Sequence, residues 1–212
     1  MNKRFMYVAM ISGVALSLTM TGCHAVKDNN QASLSPTVAP PNVKTSQQTL
    51  TQQALHIQKA LAEGDYAAIT DDIHPTRGVR FSMYAYIQPK ADKTFSRDQY
   101  AQYLRQSKIR FTWGEKDGTG DLLITTLPDY LRHWVNASVF GDNPAISVNN
   151  SQAVGNSINN LNKIYQNSDY VEFYKDGSVE YSGMDWRAMR LVFDEYQGKR
   201  YLVAIISDQW TI

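Results

Sequence analysis

His74 and two aspartates near the C-terminus, Asp185 and Asp208, are the side chains whose types could carry acid–base chemistry. A general acid or base needs a pKa close to the working pH, and imidazole has such a pKa in water. His74 precedes Pro75, so it is predicted to lie at the end of a helix, beside the loop that leads into a strand. The alternative interpretation is structural, a helix-terminal histidine that hydrogen-bonds to the backbone.

A second group of side chains could bind a ligand without catalysis. Trp186 and Trp210 are predicted to lie at the same end of a sheet, where an aromatic pair lines a pocket mouth or fills the core. Asp208 is predicted to face Arg187, and a neighbouring guanidinium favours the charged carboxylate, which suits a structural ion pair better than a tuned base. The candidate binding residues are His74, Arg77, Tyr84, Trp186, Arg187 and Trp210.

The sequence motifs give no support to metal or cofactor chemistry. The 4 histidines are scattered, with no ligand spacing such as HExxH. The segment Asp117–Asp121 resembles a calcium loop only faintly, because it lacks the ladder of ligands and the closing glutamate, and we interpret it as a glycine turn. The sequence contains no Walker loop, GxGxxG or GxSxG motif. We therefore expect no metal and no cofactor.

The balance of charge argues against nucleic acid as a partner. The chain has 21 basic and 20 acidic residues, whereas nucleic-acid-binding proteins usually carry a basic surplus. Basic residues are scattered from Lys90 to Arg110, but Asp92 and Asp98 stand among them, a pattern typical of a solvated helix face.

The N-terminus has the pattern of an export signal. A short basic start precedes an uncharged apolar run, Phe5–Met20, which has the length of a secretory signal core and is too short for a confident transmembrane helix. The sequence Leu18-Thr19-Met20-Thr21-Gly22-Cys23 follows, and its small residues ahead of the only cysteine resemble a bacterial lipobox. A single cysteine excludes an intramolecular disulfide. We predict a lipoprotein signal peptide over residues 1–22 and lipidation of Cys23.

A polar tether is predicted to separate this anchor from a globular domain. Residues 24–48 contain no aromatic residue and include three prolines among polar side chains, a composition that cannot bury enough apolar surface to fold. We predict a tether over residues 23–48 and one globular domain over 49–212. The resemblance to Gram-negative lipoproteins implies delivery to the outer membrane, if the source is Gram-negative, because His24 rather than aspartate follows the cysteine.

Apolar residues at helical spacing come before most of those at strand spacing. Four helical segments are predicted, over Leu50–Leu61, Asp65–Ile73, Ser96–Ser107 and Thr126–Val135. The third has the strongest local signal, a capping box over Ser96–Gln99. Alternation predicts strands over Val79–Ile87 and Ile109–Trp113. The asparagine-rich segment 143–167 is predicted to form loops with at most a short helix.

Two hairpins are predicted towards the C-terminus. Asp176-Gly177 predicts a turn between strands over 170–175 and 178–181. Gln197-Gly198 predicts a second two-residue turn, which places Arg187 opposite Asp208. The outer face of this second hairpin is partly apolar and needs a cover, which is a helix, a second subunit or a partner protein.

The order of these elements resembles a known fold family, and several stretches support the resemblance. They are Ile73–Ser82, Phe111–Gly114, Gly155–Asn160, Gly183–Trp186 and Ser207–Ile212. Over residues 50–212 the chain is similar to exported bacterial proteins and lipoproteins with the NTF2-like (SnoaL-like) cone fold. The resemblance implies an α+β fold, with N-terminal helices packed on a curved antiparallel sheet, and a homodimer formed through the sheet face. It does not select an activity, since this fold carries enzymes and binding modules alike.

Two functions are therefore expected. The first is a lipid-anchored, extracytoplasmic domain of the bacterial cell envelope, attached to the membrane through Cys23, that binds a small ligand or an envelope protein. The second is an NTF2-like enzyme of the isomerase, dehydratase or hydrolase type. It would act on a small apolar substrate with His74 and either Asp185 or Asp208 as acid–base residues. The sequence contains no complete catalytic constellation, which favours the first function.

Overall fold

The first helix covers one face of the sheet. The computed structural model describes residues 43–106, 108–152 and 158–211, so the predicted signal peptide and Cys23 lie outside the described residues. Helix α1 covers Val43–Glu63 and thus begins inside the predicted tether. The apolar stripe predicted for this helix is buried and consists of Leu50, Ala54, Ile57 and Leu61.

The predicted second helix over Asp65–Ile73 is wrong. This segment forms turns and one 3-10 turn, Thr70–Asp72. A segment this short has little helical stability of its own. Its end is held at the sheet instead, because Ile73 forms a parallel bridge to Leu202. Ile69 and Ile73 are fully buried, so packing rather than helical periodicity fixes the segment.

Two predicted helix starts are confirmed by their caps. Helix α2 covers Arg97–Arg105, and the capping box between Ser96 and Gln99 is complete, with hydrogen bonds in both directions. Helix α3 opens over Leu127–Asp129 behind the capping hydroxyl of Thr126 and continues as π-helical turns over Tyr130–Val135. A short helix α4, Leu161–Ile164, lies in the asparagine-rich segment.

In the described part of the chain, eight strands form two sheets. They are β1 Val79–Ser82, β2 Lys93–Phe95, β3 Arg110–Glu115, β4 Leu122–Thr126, β5 Ala145–Val148, β6 Asp169–Lys175, β7 Arg187–Tyr196 and β8 Lys199–Gln209. The main sheet has the order β2-β1-β8-β7-β6-β5, while β3 and β4 form a separate hairpin. Strand β1 runs parallel to β8, and the other neighbours are antiparallel. The predicted α+β class is confirmed, with helices beside a curved, open and largely antiparallel sheet.

Strand β1 is shorter than its alternating pattern predicts. It ends at Ser82, whose hydroxyl donates to the carbonyl of Tyr84 at 2.8 Å. The indole nitrogen of Trp134 donates to the carbonyl of Met83 at 3.0 Å. Because side chains take part in these backbone hydrogen bonds, the chain leaves the sheet here, and the residues that follow Ser82 form the wall of a cavity.

The terminal hairpin keeps its predicted register near the turn and loses it at a bulge. The four pairs nearest the turn follow the predicted register. Val203 is then an extra residue in β8, and the register shifts by one beyond it. Gln209 rather than Asp208 therefore lies opposite Arg187, so the predicted Arg187–Asp208 pair is wrong. Turn geometry alone does not foresee such a shift, because it arises inside the strands.

The hairpin predicted at Asp176-Gly177 is also wrong. Strand β6 pairs next with β7, and residues 176–186 form a loop. The Asp185 carboxylate closes this loop by accepting hydrogen bonds from the backbone amide of Ser178 at 2.6 Å and from its hydroxyl at 3.1 Å. Side-chain hydrogen bonds thus take the place of the predicted strand pairing.

Three strands, β2, β4 and β5, were not among the predicted elements, and β4 and β5 are the longer two. Strand β5 lies at the edge of the main sheet, and none of its four residues is fully buried. Strand β4 follows the turn over Asp117–Asp121 and pairs with β3, with exposed apolar residues at Leu122 and Ile124. Neither β4 nor β5 shows the alternation of buried apolar and exposed polar residues that predicts a strand.

The chain itself covers the second face of the main sheet. Val192, Ala204 and Ile206 are buried on this face. Leu161 of α4 and Tyr165 pack against them. Leu161 and Tyr165 thus cover this apolar face, so its burial does not require a second subunit.

Candidate functional site

His74 has a structural environment. It is 3 % exposed, and its Nδ1 accepts hydrogen bonds from the backbone amides of Thr76 at 3.3 Å and Arg77 at 3.0 Å. Two tyrosine rings of the terminal hairpin lie 5.1 and 5.8 Å away between ring centroids. Burial, followed by the charges of Arg77 and Arg97, lowers the pKa of His74, so the imidazole is neutral. This geometry matches the structural alternative, in which the ring caps a turn.

Neither candidate aspartate is brought to His74. The backbone amide of His74 donates to the carbonyl of Leu202 at 2.9 Å, near the turn end of β8, whereas Asp208 lies near the other end of that strand. An extended strand from residue 202 to 208 spans about 20 Å. Asp185 belongs to the loop before β7, where hydrogen bonds from Ser178 lower the pKa of its carboxyl. The structure therefore does not assemble the predicted acid–base pair.

Asp208 instead belongs to a buried ionic cluster. The guanidinium of Arg190 donates from Nε to Glu172 Oε2 at 2.7 Å and from Nη2 to Asp208 Oδ2 at 3.0 Å. The Ser151 hydroxyl donates to Glu172 at 2.7 Å and accepts from Arg190 at 2.9 Å. Buried ions need such hydrogen bonds to offset their desolvation. Asp208 is thus placed to stabilise the sheet rather than to meet a substrate.

The other candidate binding residues are dispersed. Trp186 is buried, whereas Trp210 is 36 % exposed. Arg187 donates to a backbone carbonyl of α3 at 3.3 Å, and burial lowers its pKa. Arg77 lines a cavity of about 480 Å³. Tyr84, the remaining candidate, lines a second and larger cavity.

This larger cavity, of about 1090 Å³, opens between the segment after β1 and the β3–β4 hairpin. Met83 and Tyr84 form one wall, Trp113 and the hairpin turn form the other, and Asp92 lies between them. The Tyr84 hydroxyl accepts from the backbone amide of Asp117 at 2.8 Å and so ties the two walls together. The volume is at the upper end of the usual range for ligand pockets, about 300–1,000 Å³.

Asp92 is the buried acid of this cavity. Its side chain is 7 % exposed, and its Oδ2 lies 3.8 Å from Nη1 of Arg80. The same oxygen accepts a hydrogen bond from the backbone amide of Gln88 at 2.9 Å. Burial raises the pKa of Asp92 to about 6, although the Gln88 hydrogen bond and the Arg80 charge both act to lower it. Asp92 therefore titrates close to physiological pH, which an ordinary aspartate does not.

Two buried hydroxyls lie behind the cavity wall. Within the described part of the chain, the hydroxyls of Tyr130 and Ser207 have no hydrogen-bond partner of good geometry. Burial raises the pKa of Tyr130, and the nearby charge of Asp92 adds to that effect. The ring of Trp113, which lines the cavity, stacks on Tyr130 with 3.7 Å between centroids. The Tyr130 and Ser207 hydroxyls lie close to each other, and their interaction acts to lower the Tyr130 pKa.

Three large apolar side chains lie at the cavity opening, beside exposed polar and charged ones. Tyr86, Leu122 and Ile158 line it and are 51 %, 53 % and 73 % exposed. Single exposed apolar residues are common on protein surfaces, but a group around one opening indicates a binding surface. An apolar rim above a few polar groups suits a small amphipathic ligand.

Asp92 and Trp113 are site residues that the sequence reasoning missed. Asp92 stands among basic residues, which led to its interpretation as part of a solvated helix face. In the structure it precedes β2, while α2 begins only at Arg97. Pro89 just ahead of Asp92 is a turn signal, but Tyr130 and Tyr165, which lie near the Asp92 carboxyl, are distant in sequence, and no local pattern reveals them.

Comparisons with known proteins do not supply a function. The sequence matches no family model, and a comparison with curated proteins finds no significant match. Among the described residues, no three His, Cys, Asp or Glu side chains are grouped closely enough to hold a metal ion. None of the helices in the described ranges has the length and apolar character needed to cross a bilayer.

Proposed function

We propose that this chain is a lipid-anchored domain of the bacterial cell envelope that binds a small amphipathic ligand in the cavity around Asp92. The observation that carries the proposal is a cavity of about 1090 Å³ with a buried carboxyl and an apolar rim. The anchor at Cys23 and its exported position, facing the periplasm or the exterior, are proposed from the N-terminal sequence pattern. An NTF2-like cone is the proposed fold family, supported by helices packed beside a curved open sheet.

The cavity lining combines apolar side chains with polar and charged ones. The Ser82 hydroxyl donates to a backbone carbonyl at 2.8 Å, and the Tyr84 hydroxyl accepts from a backbone amide at 2.8 Å. Asp92 accepts a hydrogen bond from Gln88, interacts with Ser82 and has a guanidinium 3.8 Å away. A ligand in the cavity therefore meets the Asp92 carboxyl as a buried polar contact, while Glu115, Lys116 and Asp117 of the hairpin are exposed.

Binding of the neutral apolar dye Nile red tests this proposal. We expect the fluorescence of Nile red to rise and shift to the blue when the dye binds the wild-type protein. Ala91 lines the cavity, so Ala91→Trp should occupy part of it and weaken dye binding about tenfold or more. Ala145→Trp, on an exposed edge-strand residue, is the matched control and should bind like the wild type.

Equal binding by the wild type and by Ala91→Trp would place the dye outside the cavity and contradict the proposed site. Absence of dye binding to the wild type would contradict an apolar binding site in this cavity. Circular dichroism of each variant shows whether the substituted chain is folded before its binding is compared.

One observation favours a second candidate function, an acid–base enzyme for a small apolar substrate. The pKa of Asp92 is about 6, which suits proton transfer near neutral pH, and the group lies in a cavity. In this candidate Asp92 replaces His74, Asp185 and Asp208 as the acid–base residue. Proton NMR of cyclohexanone in D2O is a direct test. Faster loss of the α-proton signals with the wild type than with Asp92→Asn would support an enzyme, and equal rates would contradict it.

A further inference from the structure

The chemistry of the cavity lining identifies the class of ligand, and this step rests on the proposed binding function. The described lining residues include three carboxylates, Asp92, Glu115 and Asp117, but one ammonium, Lys116. An excess of negative charge in a partly enclosed site attracts cations and repels anions. Charge alone therefore argues against a carboxylate or phosphate ligand.

Aromatic rings stand beside these carboxylates. Tyr84, Tyr86 and Trp113 all line the cavity. The faces of such rings carry partial negative charge and attract ammonium groups, and tryptophan is the strongest of the three ring types. Rings and carboxylates together form the usual recognition surface for an organic cation, whereas a neutral ligand gains little from the carboxylates.

Asp92 has the most buried side chain of the lining carboxylates, 7 % exposed, and hydrogen bonds from the Gln88 amide and the Ser82 side chain stabilise its charged form. The nearest guanidinium atom, on Arg80, is 3.8 Å away, beyond hydrogen-bond distance. That guanidinium also donates to the carbonyl of Pro89 at 3.2 Å and to the hydroxyl of Tyr165 at 3.3 Å. A buried carboxylate whose neighbouring guanidinium lies beyond hydrogen-bond distance gains stability when a second cation approaches it.

We propose that the cavity binds an organic ammonium ion with an apolar body. The ammonium lies against Asp92 and the Trp113 ring, and the apolar body extends along Met83, Leu122 and Ile158 towards the opening. The ligand thus neutralises the excess charge of the lining and covers the exposed apolar rim in one binding mode.

This binding mode has a defined pH dependence. The titratable and charged groups that face Asp92 are Arg80 on β1, Tyr130 on α3 and Tyr165 after α4, and the hairpin adds Glu115, Lys116 and Asp117 across the cavity. A proton and an ammonium ion compete for the Asp92 carboxylate. Since the pKa of Asp92 is about 6, affinity for the ammonium should fall as pH decreases below that value.

A series of ligands with one body and three head groups tests the proposal. Isothermal titration calorimetry of the full chain compares the affinities for 4-phenylbutylamine, 4-phenylbutanol and 4-phenylbutyrate near pH 7.5. We expect the amine to bind about tenfold or more tightly than the alcohol, and the carboxylate to bind weakest. Asp92→Asn should remove the preference for the amine and keep the affinity for the alcohol. The exposed Asp142→Asn is the matched control and should preserve the preference.

The outcomes separate this inference from the proposed function. Equal or tighter binding of the alcohol, or amine binding that does not weaken as pH falls from about 7.5 to 5, would overturn the ammonium proposal and leave ligand binding in place. Nile red binding without any binding in the series would do the same. Failure of both the dye and the series to bind would overturn the function and the inference together.

Discussion

At the scale of single residues, two buried carboxylate sites differ in how their charge is compensated. Glu172 receives an Arg190 hydrogen bond at 2.7 Å and a second from Ser151 at 2.7 Å. Asp92 has a guanidinium only at 3.8 Å, together with hydrogen bonds from the Gln88 backbone and the Ser82 side chain. The first arrangement stabilises the sheet. The second leaves a group whose ionisation costs free energy in the folded state, which is typical of sites selected for function rather than stability.

This cost predicts the effect of Asp92→Asn on stability. The folded-state pKa of about 6 lies above the ordinary value of 3.8, so the folded protein binds more protons between these values. The contribution of Asp92 to stability is therefore most favourable at low pH and is lost as pH rises through 6. The difference corresponds to at most about 3 kcal/mol. Asp92→Asn should raise the free energy of unfolding near pH 8, and the gain should shrink as pH falls towards 4.

Urea unfolding at several pH values measures this difference. The Asn side chain keeps an oxygen for the Gln88 amide, so the hydrogen bond at 2.9 Å need not be lost. Asp142→Asn, an exposed position, should leave the stability nearly unchanged at every pH. A loss of stability in Asp92→Asn near pH 8 would show that the charged carboxylate stabilises the fold, contrary to this account.

At the scale of elements, the turn between His74 and β1 depends on a close backbone approach. Gly78 has φ +69°, and a Cβ at this position would lie 2.1 Å from the carbonyl oxygen of Phe95 on β2. Its amide donates to the carbonyl of His74 at 3.0 Å. Gly64 also has positive φ, +79°, but its Cβ would meet nothing within 4 Å. These two glycines separate the effect of backbone conformation from that of steric contact.

Alanine substitutions at both glycines test this distinction. Gly64→Ala should cost about 1 kcal/mol of unfolding free energy, because alanine resists positive φ. Gly78→Ala should cost about 1–3 kcal/mol more, since β2 must also move away from the new methyl group. Urea unfolding of the two variants measures the difference, and equal losses would mean that β2 accommodates the methyl without strain.

Elements with local signals were predictable, and those set by distant contacts were not. The start of α2 is encoded by Ser96 and Gln99, two residues three positions apart that satisfy each other's backbone hydrogen bonds. The bulge at Val203 depends on how β7 and β8 pack between two layers, so the turn sequence does not contain it. Asp92 was missed for the same reason, because Tyr130 and Tyr165, which lie near its carboxyl, are distant in sequence.

At the scale of the whole molecule, the cavity and the proposed anchor are separate parts of the chain. The cavity lining lies within residues 82–211, whereas Cys23 lies far ahead of it in sequence. Two or more acyl chains on that cysteine would anchor the chain stably, at about 0.8 kcal/mol for each buried methylene. Ligand binding and membrane attachment should therefore be separable by mutation.

Cys23→Ala should move the protein from the membrane fraction to the soluble fraction. Fractionation of cells that express the wild type and the variant, followed by immunoblotting, measures the change. Nile red binding by the soluble variant should match that of the wild-type domain, which controls for misfolding. Retention of Cys23→Ala in the membrane fraction would contradict the lipid anchor.

The position of β8 in the sheet also affects when the fold can form. Strand β8 lies between β1 and β7, although it follows every other strand in sequence. Its parallel pairing with β1 joins residues 80–82 to residues 204–206, a contact of very large sequence separation. The main sheet therefore cannot form completely until β8 is available. For the export route proposed here, such a chain would stay unfolded while it threads across the inner membrane and would complete its sheet only on the far side.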